Sequence, residues 1–312
     1  MIKRKFYLEK IVKLIDTEDI KVITGVRRCG KTVLLKQIID ELENRGIASE
    51  NIIYMSFESS KYKNIRNDDD LDEFIFSKTN NLNGKIYLLF DEIQKVKNWE
   101  VSLNSYRVDL ECDIYITGSN SQLLSGELAT LISGRYISIN MLPFSFKELI
   151  QYHDEMHENI DEIKLFEQYL SYGGFPGLLN YENEEKEKYL YDLYSTIVLN
   201  DILYKNKVKD LDLLERLMEF MISNIGQLFS ANSISKYIKN ENRKTTPHTI
   251  INYMDYARNA FIFYQIKREN IKQKRKLLIS DKYYLVDSGF YFIFNGSTQR
   301  NWGQLLENIV FL

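Results

Sequence analysis

Cysteine is almost missing from this chain, with two in 312 residues, Cys29 and Cys112. Two thiols supply no disulfide framework and suit a reducing compartment, so the expected location is the cytoplasm. Long apolar runs are missing too. No uncharged stretch approaches the ~20 residues needed to span a bilayer. The basic start MIKRKFYLEK lacks the apolar core of a signal peptide. No membrane partner is therefore expected. Only three prolines occur, Pro143, Pro176 and Pro247, and each falls where an element ends, breaks or begins. No internal repeat or low-complexity tract is evident. Charge of one sign is not in excess either, since 41 bases stand against 44 acids for a net −3.

That average hides a split. Leu149 to Phe220 holds 16 acids against 7 bases, a local −9, whereas Lys236 to Lys282 holds 12 bases against 4 acids, a local +8. The C-terminal third is basic enough to meet nucleic acid although the whole chain is not. At 312 residues two or three domains are the prior, and 44% apolar residues suffice for their cores.

What is present is a short stretch with nameable chemistry. Gly25 to Thr32, GVRRCGKT, fits G-x-x-x-x-G-K-[ST]. The apolar run Ile20 to Thr24 before it reads as a buried strand, and the periodic run Val33 to Leu42 after it reads as a helix. In that setting the glycines let backbone N–H groups face a phosphate chain at the positive end of the helix. The expected nucleotide contacts are Gly25, Val26, Arg27, Arg28, Cys29, Gly30, Lys31, Thr32 and Val33. Lys31 would neutralise β/γ oxygens, and the Thr32 hydroxyl would ligate Mg²⁺. Cys29 admits two readings, a redox switch or a small space-filling residue.

Strand and helix signals alternate through the first 145 residues, which predicts an α/β domain with a mostly parallel sheet. Further strands are expected at Asn51 to Phe57, Lys85 to Phe90, Asp113 to Gly118 and Arg135 to Leu142, with Pro143 closing the last. The charged stretch Lys61 to Asp72 reads as a surface loop. Helical spacing then takes over in FKELIQYHDEM, IKLFEQYLSY and KYLYDLYSTIVLNDIL, interrupted at Gly173-Gly174-Phe175-Pro176-Gly177. Another helix, Leu211 to Asn224, leads to Gly226. Beyond Gln227, Ser230 is a candidate N-cap, and Thr246 caps a helix with Pro247 at its first position. FIFYQIKREN and KLLISDKYYLVD follow as strands. Helix, turn, helix and basic hairpin describe a winged helix-turn-helix.

The strand KIYLLF runs into Asp91 and Glu92 and reads as a Walker B element. Asp91 would hold Mg²⁺ together with Thr32, and Glu92 would polarise the attacking water. At the end of the next strand, Ser119 or Asn120 would sense the γ-phosphate or orient water. Arg135 reads three ways, as an arginine finger acting on a neighbouring subunit, as a sensor within its own chain, or as a structural ion pair. Arg27 and Arg28 touch phosphates, acids of the lid, or loop-stabilising partners. Glu58 is a weaker candidate for coupling. Asn206-Lys207-Val208-Lys209-Asp210 has one residue too many for a guanine-reading N-K-x-D loop and lies in the helical region. ATP is therefore the expected nucleotide.

Taken in order, GVRRCGKT, LLFDEIQ, ITGSNS, LISGRY followed by LPFSFKEL, and YGGFPGLL resemble the prokaryotic AAA-type P-loop ATPases of the archaeal-ATPase, STAND-related group. The resemblance spans essentially the whole chain. It implies an additional-strand catalytic P-loop core, a helical lid and a C-terminal winged helix, with Lys31, Thr32, Asp91 and Glu92 at the ATP and Mg²⁺ positions. Many relatives continue into a restriction-endonuclease-like domain. Gly303 to Leu312 looks like that domain's first helix, with Glu307 as its first acid, and an ordinary amphipathic helix is the alternative. The later acid and lysine of such a nuclease are missing, so nuclease activity is not expected.

The expected fold is therefore α/β, a P-loop NTPase with a mostly parallel sheet, a helical lid and a winged helix. The expected boundaries are 1–145 for the ATPase core, 146–226 for the lid, 227–300 for the winged helix and 301–312 for the start of a nuclease-like domain. The expected function is Mg²⁺-dependent ATP hydrolysis coupled to a winged-helix arm. Thr249, Asn252, Tyr253 and Arg258 would face duplex DNA from the recognition helix, flanked by Arg243 and Lys244. Lys267, Arg268, Lys272, Lys274, Arg275 and Lys276 would meet phosphates. The alternatives are an ATP-controlled DNA switch with little turnover, or a module for an acidic protein partner. A homo-oligomer is left open.

Overall fold

The buried runs of the first part become a five-stranded parallel sheet in the computed structural model, which describes residues 2–124, 134–157, 160–240, 245–267, 280–296 and 301–312. The chain divides into two units, one of Met1–Gly25 with Cys29–Met141, the other of Val26–Arg28 with Leu142–Leu312. In the first, α1 (Lys5–Val12) leads to β1 (Ile20–Thr24), α2 (Lys31–Asn44), β2 (Ile52–Ser56), α3 (Asp68–Thr79), β3 (Ile86–Asp91), α4 (Trp99–Asp109), β4 (Cys112–Gly118) and β5 (Tyr136–Asn140). Every residue of β1 and of β3 is buried, as strands of a parallel sheet covered on both faces must be.

The strand order is β2-β3-β4-β1-β5, and each neighbouring pair is parallel. The extra strand β4 thus lies between β1, which feeds the phosphate loop, and β3, which ends in Asp91. Their C-terminal ends gather Thr24, Gly118 and Asp91 at one edge, where ligands of open α/β sheets bind. At the other end Lys21 forms a fully buried ion pair with Asp113, 2.5 Å apart. The Tyr115 hydroxyl also donates to Asp113 at 2.8 Å.

The stretch expected as a loop from Lys61 to Asp72 is corrected in its last part, because α3 begins at Asp68. Asn67 Oδ1 accepts from the Asp70 N–H at 2.9 Å, and three aspartates fill the first turn, where the helix dipole favours negative charge. Charge density read as a loop signal was a helix start.

In the second unit α5 (Phe146–Glu155) opens with a capping box formed by Ser145 and Glu148. It is followed by α6 (Glu162–Tyr172), a 3₁₀ turn (Pro176–Asn180) and α7 (Asn183–Ile197). The single long helix expected next is broken by a π-helical turn, Val198–Leu203. Asp201 sits in that turn with its side chain fully buried, and π turns recur where a side chain is held for a purpose.

Helix α8 (Leu211–Ser223) buries the stripe Leu213, Leu214, Leu217, Met218, Met221 and Ile222. Then come β6 (Leu228–Phe229), α9 (Ala231–Asn240), α10 (Pro247–Asn259), β7 (Phe263–Ile266), β8 (Asp281–Leu285), α11 (Ser288–Asn295) and α12 (Trp302–Phe311). The strands form an antiparallel sheet in the order β6-β8-β7. The Thr246 side chain accepts from the Thr249 N–H at 3.2 Å and caps α10, whose first residue is Pro247. No described helix is long and apolar enough to cross a membrane.

Candidate nucleotide site

The loop between β1 and α2 depends on glycine at both ends. Gly25 has φ 152°, and a Cβ there would lie 2.1 Å from the Met141 carbonyl oxygen. Gly30 has φ 107° and precedes the first turn of α2. Lys31 is buried, and its Nζ donates to the Gly25 carbonyl at 3.0 Å while lying 3.7 Å from Glu92 Oε1. Thr32 follows with its hydroxyl donating to Asp91 Oδ2 at 2.8 Å. The Walker A and Walker B candidates, 59 residues apart in sequence, are therefore hydrogen-bonded neighbours.

Asp91 is the hub of this edge. Besides Thr32, it accepts from Thr117 Oγ1 at 2.6 Å, and from Tyr54 and Ser56 hydroxyls at 3.3 Å each. Burial pushes the Tyr54 phenol up to about 12, and Asp91 beside it adds to the shift. Glu92 takes the left-handed backbone conformation, φ 57° and ψ 47°, which a non-glycine residue holds only when its surroundings fix it. Its N–H donates to Thr117 Oγ1 at 3.0 Å, so Thr117 ties both acids to β4. Ser119 Oγ donates to Glu92 Oε2 at 3.2 Å, and Asn120 is buried next to it.

Cys29 is wholly buried, and burial pushes its thiol above the usual range. That favours the space-filling reading over the redox one. The Cys29 carbonyl accepts from Arg4 Nη1 at 3.0 Å, and the Arg4 N–H donates to Gln37 Oε1 at 3.1 Å.

Three loop residues, Val26 to Arg28, belong to the second unit. Arg27 pairs with Asp201 Oδ2 at 3.0 Å, and Lys205 approaches Asp201 Oδ1 at 2.8 Å. The Arg28 guanidinium lies over the Tyr189 ring, 5.7 Å from its centre. Val26 is buried and Val33 is partly buried. Glu58 forms an exposed pair with Lys95 at 3.4 Å.

Arg135 is corrected as a sensor within its own chain. Its carbonyl accepts from the Ile20 N–H at the start of β1, so it stands at the edge opposite the loop, roughly 15 Å away along the strand. Its guanidinium is exposed and donates to Asn104 Oδ1 at 3.2 Å.

Among the residues expected to meet nucleic acid, Thr249 Oγ1 shares a 3.0 Å hydrogen bond with Thr246 Oγ1, Asn252 is half-buried, and Lys267 is exposed. Arg258 pairs with Asp255 at 2.9 Å and bonds Gln265. Tyr253 faces inward, its buried hydroxyl accepting from the Asp210 N–H at 3.2 Å, and is not a surface reader. Arg243, Lys244, Arg268, Lys272, Lys274, Arg275 and Lys276 lie outside the described residues.

Sequence reasoning missed Tyr54, Ser56, Gln94, Thr117 as the link, and the buried Arg4. Tyr54 and Ser56 alternate along β2, so one face of that strand carries both hydroxyls to Asp91. That spacing was the available signal. Arg4 gave none, because its partner lies 25 residues away and is a backbone atom.

The sheet order, the glycine-bounded loop and the Thr32–Asp91 contact define a P-loop NTPase fold. Residues 17–150 match the family model described as an AAA domain, and residues 163–301 match a domain of unknown function. The whole chain is 43% identical over 312 residues to an uncharacterized protein of Haemophilus influenzae, covering 100% of this chain and 78% of that protein. An uncharacterized protein of Methanocaldococcus jannaschii is 31% identical over 309 residues, covering 96% of this chain and 67% of its own length. The chain belongs to the family of these proteins, and its first half matches the AAA domain model. A Walker-type ATPase of Pyrococcus abyssi shares the fold at 15% identity, with TM-score 0.57 over 94% of this chain and 96% of that one.

Proposed function

We propose that this chain binds ATP with Mg²⁺ and hydrolyses it, and that the nucleotide state is passed to a C-terminal winged-helix arm that binds duplex DNA. The observation that carries the reading is the junction of Thr32, Asp91, Lys31 and Glu92. One hydroxyl and one carboxylate stand 2.8 Å apart, beside an ammonium and a second carboxylate 3.7 Å apart.

The donor chemistry fits Mg²⁺, a hard cation that takes oxygen ligands and keeps several waters. Thr32 and Asp91 would hold it, and when bound it would draw charge from the phosphate oxygens. Lys31 would neutralise charge on the β/γ phosphates. Glu92 accepts a proton from the attacking water, and Ser119 or Asn120 senses the γ-phosphate or orients that water. Catalysis of this kind is positioning and charge stabilisation.

Support for coupling comes from Arg27. It belongs to the phosphate loop by sequence, and its guanidinium is held by Asp201 in the π-helical turn. Arg135, exposed at the far edge of the sheet, is available for a neighbouring subunit.

The test uses two variants of the full chain. Lys31→Ala should lose binding of a fluorescent ATP analogue. Glu92→Gln should bind ATP with near wild-type affinity and release phosphate about 100-fold more slowly or less. Wild-type turnover by Glu92→Gln would remove that carboxylate from its role.

A further inference from the structure

The turn after β3 brings a residue to Glu92 that its position in sequence does not advertise. Because Glu92 is left-handed, the chain doubles back, and the side chain two residues on returns to the carboxylate. Gln94 Nε2 donates to Glu92 Oε2 at 2.5 Å, the same oxygen that accepts from Ser119 Oγ at 3.2 Å. Two donors thus occupy Oε2. The other oxygen, Oε1, is turned toward Lys31 Nζ, 3.7 Å away.

The second polar atom of the amide is the more telling one. Gln94 Oε1 is buried and accepts no hydrogen bond among the described residues. Buried acceptors are nearly always satisfied, so one held without a donor beside a catalytic candidate calls for a reason. Gly118 keeps the space around it, since a Cβ on that residue would stand 3.0 Å from Gln94 Oε1. The amide is fixed at its nitrogen end by Glu92 Oε2, and its oxygen lies beside Gly118.

We infer that Gln94 serves hydrolysis in two ways: its Nε2 positions Glu92, and its Oε1 accepts the second hydrogen of the attacking water. This rests on the hydrolysis reading above. The water then has two acceptors, Glu92 Oε1 and Gln94 Oε1, which leaves an oxygen lone pair directed at the γ-phosphorus. A bond forms from water oxygen to phosphorus, and the bond from phosphorus to the β–γ bridging oxygen breaks. That electron pair leaves with ADP, and one water proton passes to Glu92. Gln94 takes no proton and holds the other hydrogen through the step.

The experiment measures phosphate release at saturating ATP and Mg²⁺, KM, and binding of a non-hydrolysable ATP analogue. It compares wild type, Gln94→Met, Gln94→Glu, Glu92→Gln and the Glu92→Gln/Gln94→Met double variant, each checked for folding by circular dichroism. Gln94→Met should lower kcat by about 30- to 100-fold with KM and analogue affinity within about twofold of wild type. In the Glu92→Gln background the same change should add nothing. Gln94→Glu, close in size, replaces the donor by an acceptor and should lose turnover at neutral pH. Its activity relative to wild type should return as the pH is lowered, because a protonated carboxyl again donates to Glu92 Oε2.

Turnover within threefold of wild type in Gln94→Met overturns the assignment, as does an equal loss in analogue binding or a full further loss in the double variant. Should Gln94→Met fail to fold, a Gln94→Glu variant with wild-type kcat and no added pH dependence overturns it. No phosphate release by wild type, or wild-type rates in Glu92→Gln, would sink the hydrolysis reading itself and this inference with it. Failure of the Gln94 variants alone leaves that reading standing.

Discussion

Lys31, Thr32, Asp91 and Glu92 could be found without a structure because their spacing is dictated by chemistry that a short loop and one strand end supply. Gln94, Tyr54 and Arg4 could not, since each acts through a contact that exists only once the chain has folded. Gly173 and Gly174 lie between these cases. They read as a break in a helix, and the helix does end at Tyr172. The deeper reason for them is Asp287. A Cβ on Gly173 would lie 1.6 Å from Asp287 Oδ1, and the Gly174 N–H donates to Oδ2 at 2.7 Å.

Asp287 also caps α11 through the Gly289 N–H at 2.8 Å, and it is wholly buried. Desolvation pushes its carboxyl up to about 7 from 3.8, outweighing the two N–H donors that favour the charge. Between those two values the folded chain holds a proton that the unfolded chain has released. This group's contribution to stability is therefore full at the acid end, declines as pH rises toward about 7, and is constant above it. Asp287→Asn should cost stability at acid pH by orphaning one N–H donor. The wild-type advantage in urea midpoint over Asp287→Asn should shrink between about pH 4 and about pH 7, at no more than about 1.4 kcal/mol per unit. A constant difference across that window would show that the carboxyl stays ionised.

Among the elements, those with strong apolar periodicity or flanking caps were readable. These include β1, α2, α5, α8 and α10, the last with Thr246 and Pro247 in their expected places. Helices α3 and α4 were not, because acidic and polar residues dominate their sequences and the buried apolar marks, Leu71, Ile75, Trp99, Leu103 and Tyr106, are few. The π-helical turn was unreadable for another reason. Its sequence continues the helical pattern, and the break carries Asp201, whose buried carboxylate pairs with Arg27 and Lys205 through contacts that only the folded chain makes.

Helix α12 shows how a motif reading and a packing reading divide. Glu307, expected as the first acid of a nuclease-like site, accepts from Lys282 Nζ and from the Tyr284 hydroxyl, each at 2.7 Å. Asn308 does more for the docking of that helix. Its Oδ1 accepts from the Leu285 N–H at 2.7 Å, and its Nδ2 donates to the Leu285 carbonyl at 2.8 Å. The side chain imitates a neighbouring strand on the last residue of β8. Asn308→Ala should leave both backbone groups buried without partners and destabilise this docking by about 2–4 kcal/mol. Amide hydrogen exchange at Leu285 should accelerate in Asn308→Ala and change little in Glu307→Gln, whose exposed pair is worth less. Equal acceleration in both would mean that the ion pair, not the strand-like contact, holds the helix.

For the molecule as a whole, the formal charge of −3 gives no hint of a nucleic-acid partner, whereas the local +8 between Lys236 and Lys282 suits one. That excess is carried by residues of two kinds. Arg258 has its charge engaged by Asp255, so it contributes less field than its type suggests. Lys267 is exposed, and Arg268, Lys274 and Arg275 stand close to it in sequence. If these cations meet phosphates, binding releases counterions, and the logarithm of affinity for a duplex falls linearly with the logarithm of salt. The slope is about −0.9 per phosphate neutralised. Titrations with a short duplex should show that negative slope, and Lys267→Ala should reduce its steepness by about one while leaving any sequence preference intact. Asn252→Ala should instead relax sequence preference with the slope unchanged, since a base contact releases no counterion. The same titration with ADP and with a non-hydrolysable ATP analogue tests coupling, because a ligand that shifts the arm must bind its two states unequally. Equal DNA affinity in both nucleotide states would uncouple the arm from the loop. A flat salt plot would remove DNA and leave an acidic protein surface as the partner that the basic third fits.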